Sequence, residues 1–205
     1  MNDAYARYCA LADPTERVVP WKMLDEATQT TPIDQWYFYQ DTWAFRKVLD
    51  ASPDWLLDVG STALLVGILA QVLPVVSVDV RPLPVELPRL ECRTGTITAL
   101  PFGDGMVPMA SSLSVIEHIG LGRYGDELDP HGSERACKEL QRVVAHGGRL
   151  LLSVPVAAEP VTLFNAHRVL TREQVCGWLD ECLPVEHMFI QNDTLTVWCA
   201  EFVKV

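Results

Sequence analysis

Apolar residues along the chain gather into short runs, and the segments between them repeat at helical spacing. WLLDVG (55–60), VVSVDV (75–80), a shorter run at 90–93, MASSLSVI (109–116) and RLLLSVPV (149–156) have the length of strands buried on both faces. STALLVGILAQVL (61–73) reads as a helix stopped by Pro74. Ser133 can cap another helix, with Ala136, Leu140, Val143 and Val144 on one face and Gly147-Gly148 as its stop. From Asp34 a helix is expected with Tyr39, Trp43, Ala44 and Val48 in register, so that the aromatics between Trp36 and Trp43 serve either as core or as a substrate lid. Thr171 and Gln174 form a capping box for a helix reaching about Leu179. VEHMFIQ and TLTVWCAEFVKV flank Asn192-Asp193, a hairpin signal that makes the last strand antiparallel.

Strands alternating with helices predict an α/β three-layer sandwich around a mostly parallel sheet. The domain is expected over residues 34–205. The first 33 residues, punctuated by Pro14, Pro20 and Pro32, read as an irregular extension or cap whose notable feature is the pair Trp21 and Met23.

Composition narrows the partners. The 205 residues, 49% hydrophobic, suffice for one substantial core, and 27 acidic against 16 basic side chains give a formal charge of -11. Such a balance repels a phosphate backbone, so nucleic acid is not an expected partner. No apolar stretch has the length of a membrane span, and the N-terminus has no basic start or hydrophobic signal core, which predicts a cytoplasmic protein. The six cysteines and five histidines form no pattern at metal spacing, so no metal site is expected and the thiols read as reduced.

In open parallel sheets ligands bind at the carboxyl ends of the strands. Gly60 stands there after the first strand. Asp79 follows 19 residues later, near the end of the second strand, where a carboxylate can accept hydrogen bonds from both ribose hydroxyls. Thr96 and Ile97 follow the third strand and can border an adenine ring. A dehydrogenase would use a similar Gly and Asp pair, but the chain lacks the further glycines that pyrophosphate needs.

The order LLDVGS, VVSVDV, GTITALPFGDG, SSLSVIEHI, ELQRVVAHGGRLLLSVP resembles the class I S-adenosylmethionine-dependent methyltransferases over roughly residues 34–205. The resemblance implies a Rossmann-like, seven-stranded sheet with an antiparallel C-terminal hairpin strand. It also implies S-adenosylmethionine as cofactor, near Asp58, Gly60, Ser61, Asp79, Val80, Thr96, Ile97 and Ser114. Two departures stand out. Where the family has three glycines in alternation, this chain has Gly60, Thr62 and Leu64, two of which can crowd the methionine end, and Thr96 replaces an acid frequent in the family.

The loop GLGRYGDELDPHG after the fourth strand and the cluster FNAHR after the fifth should enter the same face. His118 is the candidate general base, with loop anchoring as its alternative. Tyr124 orients a nucleophile, stacks on a sugar, or anchors the loop. Arg123 and Arg168 can hold a carboxylate or phosphate in bidentate fashion, or pair internally with Asp126 or Asp129. Asp126, Asn165 and His167 complete the candidate acceptor site, or fix the loops instead. GLGRYGDELDP and FNAHR, with WYFYQDTWAF, VDVRPL and IEHIGLGRYGD, also resemble a narrower, uncharacterised methyltransferase-like family associated with bacterial surface-polysaccharide gene clusters. The functional expectation is methyl transfer to an oxygen or nitrogen of a small polar acceptor, anionic if both arginines face it, such as a sugar or nucleotide-sugar intermediate. The alternative is a degenerate methyltransferase fold acting as a binding or assembly subunit in glycan synthesis.

Overall fold

The computed structural model describes residues 3–20 and 28–205; Trp21 and Met23 lie outside the described residues. Two compact units cover residues 1–33 and 34–205. Within the first, the helix α1 (Asp3–Leu11) corrects the reading of this segment as irregular. Most of its side chains are exposed, so it carries no apolar stripe for a sequence pattern to reveal.

The second unit opens with α2 (Gln35–Ala51), whose N-cap Asp34 accepts from the backbone N–H groups of Trp36 and Tyr37 at 3.0 and 3.3 Å. The sequence then alternates as expected: β1 (Leu56–Val59), α3 (Ala63–Leu69), β2 (Val75–Asp79), β3 (Leu90–Thr94), β4 (Val107–Leu113), α4 (Gly132–Val143) and β5 (Val144–Pro155). A small hairpin, β6 (Val161–Leu163) and β7 (His167–Val169), precedes α5 (Arg172–Trp178), β8 (Cys182–Gln191) and β9 (Thr196–Lys204). The seven-stranded sheet runs β3-β2-β1-β4-β5-β9-β8. Its first five strands are parallel, and β9 inserts antiparallel between β5 and β8. The expected Rossmann-like three-layer sandwich with its antiparallel hairpin strand is therefore observed.

The two-residue period of the strands explains the layers. Leu57, Leu150 and Leu152 face one side and pack with Ala136, Leu140 and Val143 of α4 and Val175 of α5. Their neighbours Leu56 and Leu151 face the other side, with Val48 of α2 and Val66 and Leu69 of α3. Every one of these side chains is buried. Each leucine or valine among them contributes roughly 1.5–3 kcal/mol on leaving water, which is why a continuous apolar run predicted these strands.

Several elements differ from expectation: α4 begins at Gly132 with His131 as its N-cap, so Ser133 lies inside the helix and donates to Ile116 O instead of capping it. β4 ends at Leu113, so Ser114, Val115 and Ile116 leave the sheet and turn toward the ligand face, Ile116 opening a short 3-10 turn through His118. α4 stops at Val143 rather than at the glycine pair, because β5 already begins at Val144 by pairing with Val107, with a register shift before Met109. On α2 the buried line is Gln40, Ala44, Val48, while Tyr39 is 47% exposed. A polar residue thus occupies a place where the pattern favoured an aromatic one.

Candidate functional site

The cleft sits where β1 and β4 diverge, at the carboxyl ends of the strands. Its wall includes Gly60, Asp79, Arg81, Ile97, Ser114 and His118, and it opens to solvent. Gly60 has φ +74, and a Cβ there would stand 3.1 Å from Val115 Cγ1 and 3.6 Å from Asp79 Oδ2. Its own N–H is engaged with Val78 O at 3.1 Å, so Gly60 offers bare backbone surface rather than a hydrogen-bond donor. The Oδ1 atom of Asp79 accepts from the Arg81 N–H at 2.7 Å, whereas Oδ2, on the Gly60 side, has no hydrogen-bond donor among the described residues. Val80, Thr96 and Ile97 border the same space.

Two residues of the expected cofactor set are elsewhere. Asp58 is completely buried, accepts from Ser111 Oγ at 2.7 Å and Ser61 N at 3.2 Å, and does not line the cleft. Burial raises its carboxyl to about 6 against the opposing hydrogen bonds from Ser61 and Ser111. Ser61 is likewise off the wall, its Oγ accepting from Leu113 N at 3.2 Å. Both residues join the ends of β1 and β4.

The feared crowding is absent from this wall. Leu64 is 74% exposed on α3, and Thr62 is the N-cap of that helix, accepting from Leu65 N and donating to Asp41 Oδ2 at 2.6 Å. Side chains replace the missing glycines without entering the hollow, because the chain has already turned into α3 at that point.

Gln40 was not legible as a site residue, yet it organises one edge of the cleft. Its Oε1 accepts from both Ser114 Oγ at 2.7 Å and Ser153 Oγ at 2.5 Å, joining α2 to the ends of β4 and β5. Ser114 lines the cleft in a left-handed conformation, φ 56, which this hydrogen bond helps to hold. The available signal was a glutamine on the otherwise apolar line of an amphipathic helix.

The loop after β4 does reach the cleft. Tyr124, Asp126 and His118 all line it, while Arg123, Asn165, His167 and Arg168 do not. His118 Nδ1 lies 2.7 Å from the carbonyl of Ala166, in the β6–β7 turn. A carbonyl only accepts, so this contact assigns the proton to Nδ1 and the lone pair to Nε2, against the longer 3.4 Å approach of Arg123 Nη1, a donor that would need a bare Nδ1. Burial holds the His118 imidazole below its ordinary pKa despite that contact, which keeps it neutral and basic at pH 7. Its neighbour Glu117 is 2% exposed, with Oε1 3.9 Å from His118 Nε2 and no hydrogen bond to Oε2 among the described residues. Desolvation pushes the Glu117 carboxyl up to about 8, so it is largely protonated at neutral pH.

Asp126 faces the cleft but its carboxylate is engaged by the N–H groups of Gly120 at 2.6 Å and Tyr124 at 3.2 Å. Burial alone would raise it; these backbone donors outweigh burial and hold it below its usual range. Arg168 is buried and donates to the carbonyls of Ile119 and Asp129 and to Ser133 Oγ. It clamps the loop to α4, using backbone oxygens rather than either expected aspartate. His167 packs edge-on to His118 at 6.4 Å, and Asn165 stands in the exposed hairpin turn. Among the described residues no group of three or more His, Cys, Asp or Glu side chains is placed to hold a metal ion, and no helix is long and apolar enough to cross a membrane.

Solved structures share this architecture. One is a 1,6-didemethyltoxoflavin-N1-methyltransferase from Burkholderia thailandensis with 1,6-didemethyltoxoflavin and S-adenosylhomocysteine bound: 18% identity, TM-score 0.59, covering 83% of this chain and 84% of that one. Another is the N-methyltransferase NodS from Bradyrhizobium japonicum in complex with S-adenosylhomocysteine, at 16% identity and TM-score 0.59 over 80% and 86% of the two chains. The fold is that of the class I S-adenosylmethionine-dependent methyltransferases. The [4+2]-cyclase SpnF is similar too, at 14% identity and TM-score 0.59 over 78% and 81%, so the fold does not dictate the reaction. A family model described as "Caenorhabditis protein of unknown function, DUF268" matches residues 104–176, from the entry to β4 into α5. No curated protein sequence gives a significant match.

The wall fits S-adenosylmethionine at its nucleoside end. The unengaged Asp79 Oδ2 suits the ribose hydroxyls, Val80 and Ile97 supply apolar borders for a base, and the space beside Gly60 is one that any Cβ would narrow.

Proposed function

We propose that the protein is an enzyme that methylates an oxygen or nitrogen of a small polar acceptor, a sugar or nucleotide-sugar intermediate, with S-adenosylmethionine as methyl donor. The observation carrying this reading is that Gly60, Asp79 and His118 share one cleft at the carboxyl ends of β1, β2 and β4. Asp79 would hold the ribose, Val80, Thr96 and Ile97 the adenine, and Gly60 and Ser114 would flank the methionine portion. Bound there, S-adenosylmethionine supplies an electrophilic methyl group on a sulfonium.

The chain's own residues do the rest. His118 accepts the acceptor's O–H or N–H proton at Nε2, the nitrogen left free by the Ala166 contact. The imidazolium so formed keeps its Nδ1–H on the Ala166 carbonyl, so no ring rotation accompanies protonation. Tyr124, 36% exposed and edge-on to His118 at 5.8 Å, bounds the acceptor's side of the cleft. Most of the acceleration would come from alignment within this cleft, where water is displaced.

Calorimetric titration of the full chain with S-adenosylmethionine and S-adenosylhomocysteine tests the reading. Saturable binding of both, weakened at least tenfold by Asp79→Asn, is expected. Failure of the unmodified protein to bind either at millimolar concentration overturns it.

A further inference from the structure

We propose that Arg81 and Arg123, held against the ring of Tyr124, form a phosphoryl-binding subsite at the rim of the cleft. It takes a phosphate monoester or diphosphate group of the acceptor. The subsite deepens the methyl-transfer reading and rests on it for the word acceptor, while the chemistry of the subsite stands on its own geometry.

Arg81 follows β2, two residues beyond Asp79, and Arg123 belongs to the loop after β4. Their guanidinium carbons lie 4.3 and 5.3 Å from the centroid of the same Tyr124 ring. Two like charges are thereby brought to one aromatic side chain from separate elements, and the ring quadrupole offsets only part of their repulsion. Among the described residues neither guanidinium has a carboxylate within ion-pair distance, whereas Arg93, Arg135, Arg142 and Arg149 each have one. Arg46, Arg89, Arg168 and Arg172 likewise have no ion pair among the described residues, so what sets Arg81 and Arg123 apart is that the two share one aromatic ring.

The nearby acids are held away from them. Asp126 is engaged by the backbone of Gly120 and Tyr124, and Asp79 turns Oδ1 to the Arg81 N–H rather than to its guanidinium. The donors are available. Arg123 uses Nη1 on Ala166 O at 2.8 Å, and the Arg81 guanidinium makes no hydrogen bond among the described residues. Two planar forks with free N–H groups match the oxygens of a phosphoryl group, and two unpaired charges match its roughly −1.5 to −2 at neutral pH better than a single carboxylate. Arg81 thus takes the place beside Arg123 that the sequence reading gave to Arg168.

The test titrates the full chain with inorganic pyrophosphate at low ionic strength, with malonate as the carboxylate comparison. Saturable pyrophosphate binding at least tenfold tighter than that of malonate is expected. Arg81→Gln and Arg123→Gln should each weaken it tenfold or more, and Arg123→Lys, which keeps the charge and loses the fork, should fall between. Unchanged melting temperatures in these variants, together with S-adenosylhomocysteine affinity kept within twofold in Arg123→Gln, exclude a general loss of structure. No saturable pyrophosphate binding, equal binding of malonate, or indifference to both glutamine substitutions overturns the subsite. Arginine-dependent pyrophosphate binding in a protein that fails to bind S-adenosylhomocysteine sinks methyl transfer and leaves the subsite standing.

Discussion

The backbone carbonyl of Ala166 lies 2.7 Å from His118 Nδ1, so a two-stranded hairpin from after β5 determines which nitrogen of the loop histidine bears the proton. Because burial lowers the pKa of this imidazole, its titration by nuclear magnetic resonance should have a midpoint below the ordinary 6.5. A rate that depends on His118 as base should hold its plateau into mildly acidic solution and fall only as pH drops through that lowered value. His118→Ala should reduce methyl transfer by about 10²–10⁴-fold with S-adenosylhomocysteine affinity little altered. An unchanged rate in His118→Ala would remove the proposed base.

Gly60→Ala should damage the cleft rather than the fold at large. With φ +74 and Val115 Cγ1 3.1 Å from the added carbon, the substitution costs about 1–2 kcal/mol in backbone strain, and it narrows the space beside Asp79. Weaker S-adenosylhomocysteine binding and a lower melting temperature are expected. Gly67→Ala in α3, where an added Cβ meets nothing within 4 Å, should instead stabilise the protein by about 0.5–1 kcal/mol. Equal effects of the two substitutions on ligand binding would contradict the assignment of Gly60 to the wall.

Gln40→Leu should destabilise by about 1–2 kcal/mol in urea unfolding, since the buried Ser153 hydroxyl loses its acceptor while Ser114, on the cleft wall, turns to Ser153 or to water. Adding Ser153→Ala removes one orphaned donor, so the double variant should be more stable than additivity of the single changes predicts. Additive losses would show that the three side chains do not act as a unit.

Glu117 should make stability fall as pH rises. Its folded-state pKa, about 8, stands above the ordinary 4.5, so between these values the folded protein binds more protons than the unfolded chain. The stability it confers is full below pH 4.5 and is lost on the way up to 8. Asp58 acts in the same direction but only between 3.8 and about 6, which leaves pH 6–8 as the window for Glu117. There the slope can approach about 1.4 kcal/mol per pH unit. Glu117→Gln, neutral throughout, should flatten the curve in that window; a curve as steep as that of the unmodified protein would mean the carboxyl is not buried as described.

Arg168→Gln should loosen the loop after β4, because the carbonyls of Ile119 and Asp129 lose their shared cation. Faster amide hydrogen exchange at Gly120 and Asp129, with the β1–β2 amides unaffected, is the expected signature. Exchange unchanged at both positions would show that the loop is held by other contacts.

The strands and helices were legible because burial on two faces writes a local record. Leu56 and Leu57 must both be apolar when one faces α3 and the other faces α4, and Leu150 to Leu152 repeat the rule. Asp79 and Gly60 were legible for a related reason, since a fixed crossover length brings them to one rim. Strand β6 was missed because Val161 and Leu163 are exposed and leave no alternation to read, and the three residues of β7 are too few to carry a period. Asp58 was expected beside the cofactor, and only the tertiary structure places it buried beneath Ser111 and Ser61, off the cleft wall.

By itself, then, the sequence determined the order of layers, the rim at which a ligand enters, and the polar character of the two loops that reach it, since each follows from periodicity and connection length. The tertiary structure alone decided which charged groups remain available there. Arg168 finds Ile119 and Asp129 across separations of 49 and 39 residues, and His118 finds Ala166 across 48. Their acceptors are backbone carbonyls, which every residue possesses, so no side-chain pattern can announce them. Only when those contacts close does Arg81 stand beside Arg123 without a partner of opposite charge.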